Sequence, residues 1–498
     1  MKIFPPHAID FYKSGHIRQY PEGTQYVYSN FTPRSGKLAK MSPDWDGKVV
    51  WVGLQGVCKW MLIDLWRDQF FSKPKDEVVG RFKRRMDMAL GAGSVDEKAI
   101  AELHDFGSLP IRIKALPEGV RVNMKVPLFT VINTDPRFFW LTNYLESQIS
   151  AECWKVITAA TIAYEFRRLL SKYAKLTGSP EGFVQWQGHD FSFRGMGGIY
   201  DGGQSSIGHL LSFSGTDTVL GLDYIDDYYN GNGGWFGGSV PATEHSVMCM
   251  GGPDDEIGTF RRLITEVYPS GVVSIVSDTW NYWDVLTDYA VNLKPEIMGR
   301  TPDANGLSKV VFRPDTGEPE LILCGDPEAR AGTPENAGTF ELLWDGFGGT
   351  RTETGHRALD SHVGAIYGDS ITLERATGIL ENMYKNGFAT SNVVFGVGSF
   401  TYQYVTRDTL GMAYKCTWGV VNGEARELFK DPVTGDGVKK SAKGLLRVEK
   451  EGADYVLYDQ QTEEQEQQGA LELVFQNGKL YRDESFATLR NRLHGDSF

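Results

Sequence analysis

The chain is poor in cysteine and has no long apolar run. Its five cysteines, Cys58, Cys153, Cys249, Cys324 and Cys416, are odd in number, far apart and without a CxxC pair. A zinc ribbon or a disulfide framework is therefore not expected, and a reduced intracellular setting fits best. No apolar stretch is long enough to cross a bilayer, and the opening Met1-Lys-Ile-Phe-Pro-Pro-His7 lacks the apolar core of a signal peptide. The expectation is a soluble, cytoplasmic protein with no membrane partner. Positive charge is not in excess either: 51 Lys and Arg face 64 Asp and Glu, a formal net charge of −13. That balance argues against a nucleic-acid binder and confines polyanion affinity to a local pocket. Walker A, a complete GxGxxG, HExxH and GxSxG are all absent. Phosphate-loop kinase, Rossmann, zincin and α/β-hydrolase readings thus have no motif to stand on.

What is present is a globular composition, 41% hydrophobic over 498 residues, enough for two or more structural units. Four segments share one pattern, a short β-branched run ending in a polar or glycine-bearing tip. They are Gly271-Val-Val-Ser-Ile-Val-Ser-Asp278, Lys309-Val-Val-Phe-Arg-Pro-Asp-Thr-Gly317, Ala365-Ile-Tyr-Gly-Asp-Ser-Ile371 and Asn392-Val-Val-Phe-Gly-Val-Gly-Ser399. Runs without alternation suit strands covered on both faces, and the stretches between them are long enough for helical crossovers, which favours a β/α barrel. A helical pattern from Trp154 to Lys175 stops at Gly178 and Pro180, and the barrel is expected shortly after it. Residues 1–150 read differently, mixing turns with amphipathic stretches such as Lys59 to Phe71. Asp223 to Gly238 reads as a Gly-, Tyr- and Asp-rich loop, and Asp431 to Lys440 as a turn-rich basic loop. Asp459 to Gln468 shows no core pattern, while Leu471 to Tyr481 carries an Asn-Gly hairpin signature before a short final helix. That tail is expected to pack on the N-terminal region.

Functional residues of a β/α barrel lie at the carboxyl ends of its strands. Asp278, Arg313, Asp315, Gly368, Asp369, Gly396 and Gly398 fall there, although an Asp or Gly after a strand also serves a plain turn or helix cap. His189 to Asp217 adds Phe191, able to stack on a ring, Arg194, able to donate to a carbonyl or phosphate, and Asp217, able to accept from an amide N–H. Singly, such a Phe is most often core and such an Arg a surface fork. His245 follows a Gly-rich loop, precedes a helical stretch and has Glu244 beside it. Its plain reading is a hydrogen-bonded helix-start histidine. Its chemical reading is an imidazole nucleophile toward phosphorus, with a carboxylate fixing the tautomer.

Taken together, these segments resemble the nicotinamide phosphoribosyltransferases of the type II phosphoribosyltransferase family, along essentially the whole chain. The resemblance is carried by Asp10-Phe-Tyr-Lys13, Gln19-Tyr-Pro21, His189-Asp-Phe191 with Arg194-Gly195, Gly215-Thr-Asp-Thr-Val219, Ser239-Val-Pro-Ala242 and Glu244-His-Ser246. It continues through Val276-Ser-Asp278, Arg313-Pro-Asp315, Gly368-Asp369, Thr406-Arg-Asp408, Lys415-Cys416 and Phe429-Lys-Asp-Pro-Val433. It implies an α/β fold, an incomplete (β/α) barrel at 151–405 with a flanking α+β domain built from 1–150 and 406–498. It further implies a homodimer with shared active sites. The reaction would join nicotinamide to phosphoribosyl pyrophosphate, with Mg2+ and with ATP as a co-substrate that transiently phosphorylates His245. By position, Phe191 and the partner's Tyr12 would sandwich the pyridine ring, with Arg194 alongside and Asp217 accepting from the carboxamide. Arg313 and Asp315 would hold ribose and phosphate, and Asp278, Asp315 and Asp369 the ribose hydroxyls or a Mg2+ shell. Arg34, Gly368, Gly398 and Ser399, with Arg407 and Lys415 of the partner, would serve phosphate and diphosphate.

Transfer at the anomeric carbon develops a cationic sugar while an anion departs, so carboxylates and basic groups are both required. The pyridine nitrogen is already a neutral nucleophile and needs aiming rather than a base. A carboxylate at Asp217 favours nicotinamide over nicotinate; a nicotinate-using enzyme of the same fold is the nearer alternative. A non-catalytic binding protein is the more distant one, and it would predict erosion of His245, Asp278, Arg313 and Asp315, all of which are present. The sequence departs from the family pattern at Gly398-Ser399-Phe400, at Gly368-Asp369-Ser370 and at Ala413, all in the phosphate and diphosphate pocket.

Overall fold

A computed structural model of the chain describes residues 2–368, 370–429 and 442–495. The β-branched runs form parallel strands: β1 Gly188–Asp190, β2 Gly215–Thr216, β3 Val273–Val276, β4 Val310–Arg313, β5 Val363–Tyr367 and β6 Val393–Val397. Their order in the sheet is β2-β1-β6-β5-β4-β3. Nearly every residue in them is buried, as expected where both faces are covered. The segment after Gly237 spans the two edges. Gly238 bridges Gly215 beside β2, and Ala242 bridges Ser274 of β3, with Thr216 N–H donating to the Gly238 carbonyl at 3.0 Å and Thr243 N–H to that of Ser274 at 3.0 Å. Six strands and a bridging segment make a barrel short of the usual eight.

A second, antiparallel sheet draws on both ends of the chain. Across it the strands run Glu424–Glu427, Met412–Val421, Thr24–Pro33, Phe129–Asn133, Ile111–Ala115, Glu472–Gln476 and Lys479–Leu480. The expected hairpin closes with Phe475 opposite Leu480, and Asn477 and Gly478 adopt φ of 50° and 78°, the left-handed pair a two-residue turn demands. Glu472–Gln476 pairs with Ile111–Ala115, so the tail docks on the N-terminal region.

The helix Glu146–Thr177 joins the two halves. Its first part gives Ile149, Val156 and Ile157 to the core under the antiparallel sheet, and its second gives Phe166, Leu170 and Tyr173 to the barrel core. It ends at Gly178, where the stop signal placed it. Lys59 to Phe71 is helical and buries Trp60, Met61, Leu62, Trp66 and Phe70. Among the described residues no helix is long and apolar enough to cross a membrane.

Two expectations need correcting. Asp223 to Gly238 is not loop throughout: Val219–Tyr228 is a helix, and only the remainder is irregular. Tyr224 and Ile225 bury against the core, so the polar composition concealed an apolar face. Asp459 to Gln468 is likewise structured, with Asp454–Gln461 a strand and Glu463–Glu466 a capped helical turn. Glu466 is buried there because Lys114 pairs with it. Asp431 to Lys440 lies outside the described residues.

Candidate active site

The strand ends converge at one mouth of the barrel. Phe191 follows β1, and its N–H donates to the Val397 carbonyl of β6 at 3.0 Å. Gly396 of β6 passes so close to its neighbours that a Cβ would sit 2.6 Å from Gly368 Cα and 2.8 Å from the Phe191 ring. A Cβ on Gly368 would lie 3.0 Å from Asp315 Oδ1. Glycine at these two positions lets the ends of β1, β4, β5 and β6 close to van der Waals distance.

Asp217, just past β2, accepts from His189 Nε2 at 2.8 Å and from the Ser239 hydroxyl at 2.5 Å, both on Oδ1. Burial pushes this carboxyl up. The two hydrogen bonds and the charges of His189 and Arg313 outweigh burial and hold it below the ordinary aspartate value. It is an anion at neutral pH.

His245 opens the short helix His245–Gly251 and sits 3.1 Å from Asp278 through Nε2 and Oδ1. The imidazole is 44% exposed and the carboxylate beneath it 4%. Asp278 Oδ2 accepts from the Asp315 N–H at 2.8 Å and the Thr316 hydroxyl at 2.7 Å. Glu244, which sequence proximity suggested as the tautomer-fixing carboxylate, instead accepts from Ser246. The partner is the carboxylate at the end of β3, since adjacent residues at a helix start point to different sides.

Arg313, at the end of β4, donates to the Thr243 carbonyl at 2.5 Å and is otherwise enclosed. Burial lowers its pKa against the pull of Asp315, Asp217 and Asp278, while Arg194 adds repulsion. Its Nε is buried with no partner among the described residues. A cation ringed by three carboxylates, with a donor unspent, fits a site completed by an anion. Arg194 is exposed on the loop after Phe191, and the Gly195 backbone rests on Ser399, which follows Gly398 and opens the turn Ser399–Tyr402. Asp369 lies outside the described residues.

Four expected residues stand apart on the antiparallel sheet and its approach. Arg34 donates to the Gly411 carbonyl at 3.4 Å, Arg407 accepts through its own carbonyl from Met412 N–H at 3.0 Å, and Lys415 pairs with Asn30 in the sheet. Tyr12 is 63% exposed, 5.1 Å from the ammonium of the buried Lys13. The fold of a single chain does not put Tyr12 on Phe191.

His189 and Ser239 stand in the sequence motifs without an assigned role, and Thr316 and Ser277 carry no motif of their own. The hydroxyl following Arg-Pro-Asp was the available signal for Thr316. Ser277 was marked only by its place before Asp278, and its Oγ accepts from Arg313 N–H at 3.2 Å. Among the described residues no group of three or more His, Cys, Asp or Glu is arranged to hold a metal. With both oxygens of Asp278 engaged, this donor set fits Mg2+ only as an ion that arrives largely chelated by phosphate oxygens.

Strand-end carboxylates, an enclosed arginine and a His–Asp pair at the mouth of an incomplete β/α barrel define a site for an anionic sugar-type substrate. The sequence profile of the nicotinate phosphoribosyltransferase (NAPRTase) family matches residues 186–479, and the chain belongs to that family. It is 58% identical over 492 residues to a nicotinamide phosphoribosyltransferase of Acinetobacter baylyi, covering 99% of this chain and 97% of that protein. It is 32% identical over 464 residues to the enzyme of that name from Mycoplasma pneumoniae, covering 88% and 94%. Among solved structures, human nicotinic acid phosphoribosyltransferase aligns with a TM-score of 0.53 at 16% identity, over 97% of this chain and 92% of that one. A nicotinate-nucleotide pyrophosphorylase from Pyrococcus furiosus aligns at 0.54 and 15% identity, over 98% and 94%; both likenesses concern the fold.

Proposed function

We propose that the chain is an NAD-salvage phosphoribosyltransferase that joins nicotinamide to phosphoribosyl pyrophosphate, giving nicotinamide mononucleotide and pyrophosphate. The observation that carries the choice of base is Asp217. Its carboxylate is kept ionised by His189 and Ser239, and both donors occupy Oδ1, so Oδ2 can accept a carboxamide N–H. Nicotinate would bring a second carboxylate against it, a repulsion of about 1–4 kcal/mol at near-surface separations.

Phe191 aims the ring, and the pyridine nitrogen attacks the anomeric carbon as the bond to the diphosphate oxygen breaks. The electron pair leaves with pyrophosphate, the product is a pyridinium, and no proton is lost. Asp315 stabilises the cationic sugar, while Arg313 and Arg194 face the anions. Asp315 would hold Mg2+ that arrives on the substrate phosphates, and the ion would neutralise charge on the departing diphosphate. Gly368, Gly398 and Ser399 line the phosphate end. A homodimer with composite sites would bring Tyr12, Arg407 and Lys415 of the partner to the barrel mouth, and the exposure of Tyr12, Arg407 and Lys415 supports it. ATP stimulation rests on His245: Asp278 on Nε2 leaves the lone pair on Nδ1. Attack on the γ-phosphorus there forms an N–P bond as ADP leaves, and the buried carboxylate stabilises the cationic ring.

The test is product formation by purified protein with Mg2+ and phosphoribosyl pyrophosphate, given nicotinamide or nicotinate, each with and without ATP. Nicotinamide mononucleotide from nicotinamide, raised by ATP, is the expected result. Equal efficiency on nicotinate would overturn the role of Asp217, and no product from either would overturn the reaction.

A further inference from the structure

Two loops that carry the phosphate-facing residues meet over a buried ammonium. Lys155, on the inner face of Glu146–Thr177 and 8% exposed, is bonded through Nζ to Asp201 Oδ2 and to Gln403 Oε1. Asp201 also accepts from Gly197 N–H at 2.7 Å through Oδ2 and from the Ser205 hydroxyl at 3.1 Å through Oδ1. Gln403 N–H donates to the Ser399 carbonyl at 2.6 Å, and Ser399 in turn supports the backbone of Gly195. Lys155 thus ties the loop after β1, which bears Arg194, to the turn after β6, which bears Ser399. Neither loop is joined to the other by strand pairing at this depth, because the pairing of β1 with β6 runs only as far as Asp190 opposite Val397.

We infer that Lys155, bridging Asp201 and Gln403, is a positioning residue that fixes the Arg194 loop against the Ser399 turn and so sets how tightly the phosphoribosyl substrate is held. The inference rests on the function proposed above. Lys155 itself touches none of the residues assigned to substrate, so it acts through the loops. The helix that carries it has no need of an ammonium for its own stability, since its neighbours Val156, Ile157 and Ala159 are already in the cores. The setting is acidic. Glu152, one turn earlier, has its pKa pushed up to about 7, by burial first and then by the charge of Asp201. Without Lys155 the anionic Asp201 would stand beside Glu152 with only neutral donors, and the Gly197 end of the loop would lose its anchor.

The experiment uses the full-length protein and three variants. Gln403 is exposed, so Gln403→Ala removes the second tether with little demand on the core. Gln403→Glu keeps an acceptor for the ammonium, and Lys155→Met removes the ammonium but keeps the stem. For each, kcat and KM are measured for both substrates, with melting temperature and amide exchange over 193–198 and 398–404. Gln403→Ala should raise KM for phosphoribosyl pyrophosphate about five- to tenfold, the scale of one lost hydrogen bond, with kcat within about twofold. Lys155→Met should move KM in the same direction and further, and Gln403→Glu should stay near the parent. In both disrupted variants exchange should rise in both segments together. Unchanged KM with only a lower melting temperature, or faster exchange in one segment alone, would overturn the assignment. Should the parent make no product, the proposed reaction fails, while the exchange measurements still decide whether the two loops are latched.

Discussion

In the proposed function the barrel mouth and the antiparallel sheet hold complementary halves of one chemistry. At the mouth the carboxylates are held by several hydrogen bonds each, Asp278 buried and Asp217 partly exposed. On the sheet and its approach Arg34, Arg407 and Lys415 are basic and exposed, with Arg407 paired to its neighbour Asp408 at 3.4 Å. Transition-state charge must be met by groups already in place, which suits the rigid half. Capturing a diphosphate asks only for cations within reach, and exposed arginines can supply that across a subunit boundary.

The largest test of this division is Asp315→Ala against Arg407→Ala. Asp315→Ala should lower kcat/KM roughly 100- to 1000-fold. Arg407→Ala should act mainly through KM for phosphoribosyl pyrophosphate, about 10- to 100-fold, for a charge-assisted contact of 1.5–3 kcal/mol. Mixing the two variants under exchange of subunits, assayed with phosphoribosyl pyrophosphate well below the KM of Arg407→Ala, should restore about a quarter of the sites if each is shared across a two-fold dimer. Additive, unrestored loss would place both halves in one subunit.

Next in size is the histidine pair. His245→Ala should remove the ATP response while some basal transfer persists, and Asp278→Asn should remove most of it. Glu244→Gln should keep it, because Glu244 engages Ser246 rather than the imidazole. An ATP response lost with Glu244 and kept without Asp278 would reverse the assignment. Ser239→Ala tests the rigid half more gently. Asp217 keeps its His189 bond, so KM for nicotinamide should rise about fivefold, the cost of one net hydrogen bond near 1 kcal/mol.

The last effect lies away from both halves, concerns stability rather than activity, and calibrates the rest. Burial lowers the pKa of His209 to about 4 and of His494 to about 3, the latter helped by Arg167 and Arg490. Protons then bind the unfolded chain better, so this stability is complete above about pH 6.5 and falls as the pH drops toward 4. At pH 5 each histidine should remove up to about 2 kcal/mol. Denaturant midpoints for the parent and His494→Gln, taken at pH 7 and 5, should show a smaller acid loss in the variant. An equal loss would show that His494 is not among the groups that titrate on unfolding.

The sequence by itself determined the parallel barrel strands, the long helix with its glycine stop and the Asn-Gly hairpin. In each, a local rule of spacing, burial or turn geometry needs no distant partner. It also determined the chemical inventory, since His245, Asp278, Arg313 and Asp315 are legible as types and motifs. The tertiary structure alone decided which carboxylate holds His245, because Asp278 and His245 come together only when β3 runs beside the segment before the helix. It alone made the polar stretches 223–228 and 459–466 into packed elements, through Tyr224 and through the Lys114–Glu466 pair. Lys155 was invisible for the same reason. Its partners Asp201 and Gln403 are 46 and 248 residues away along the chain, and only the closing of the barrel joins the loops that carry them.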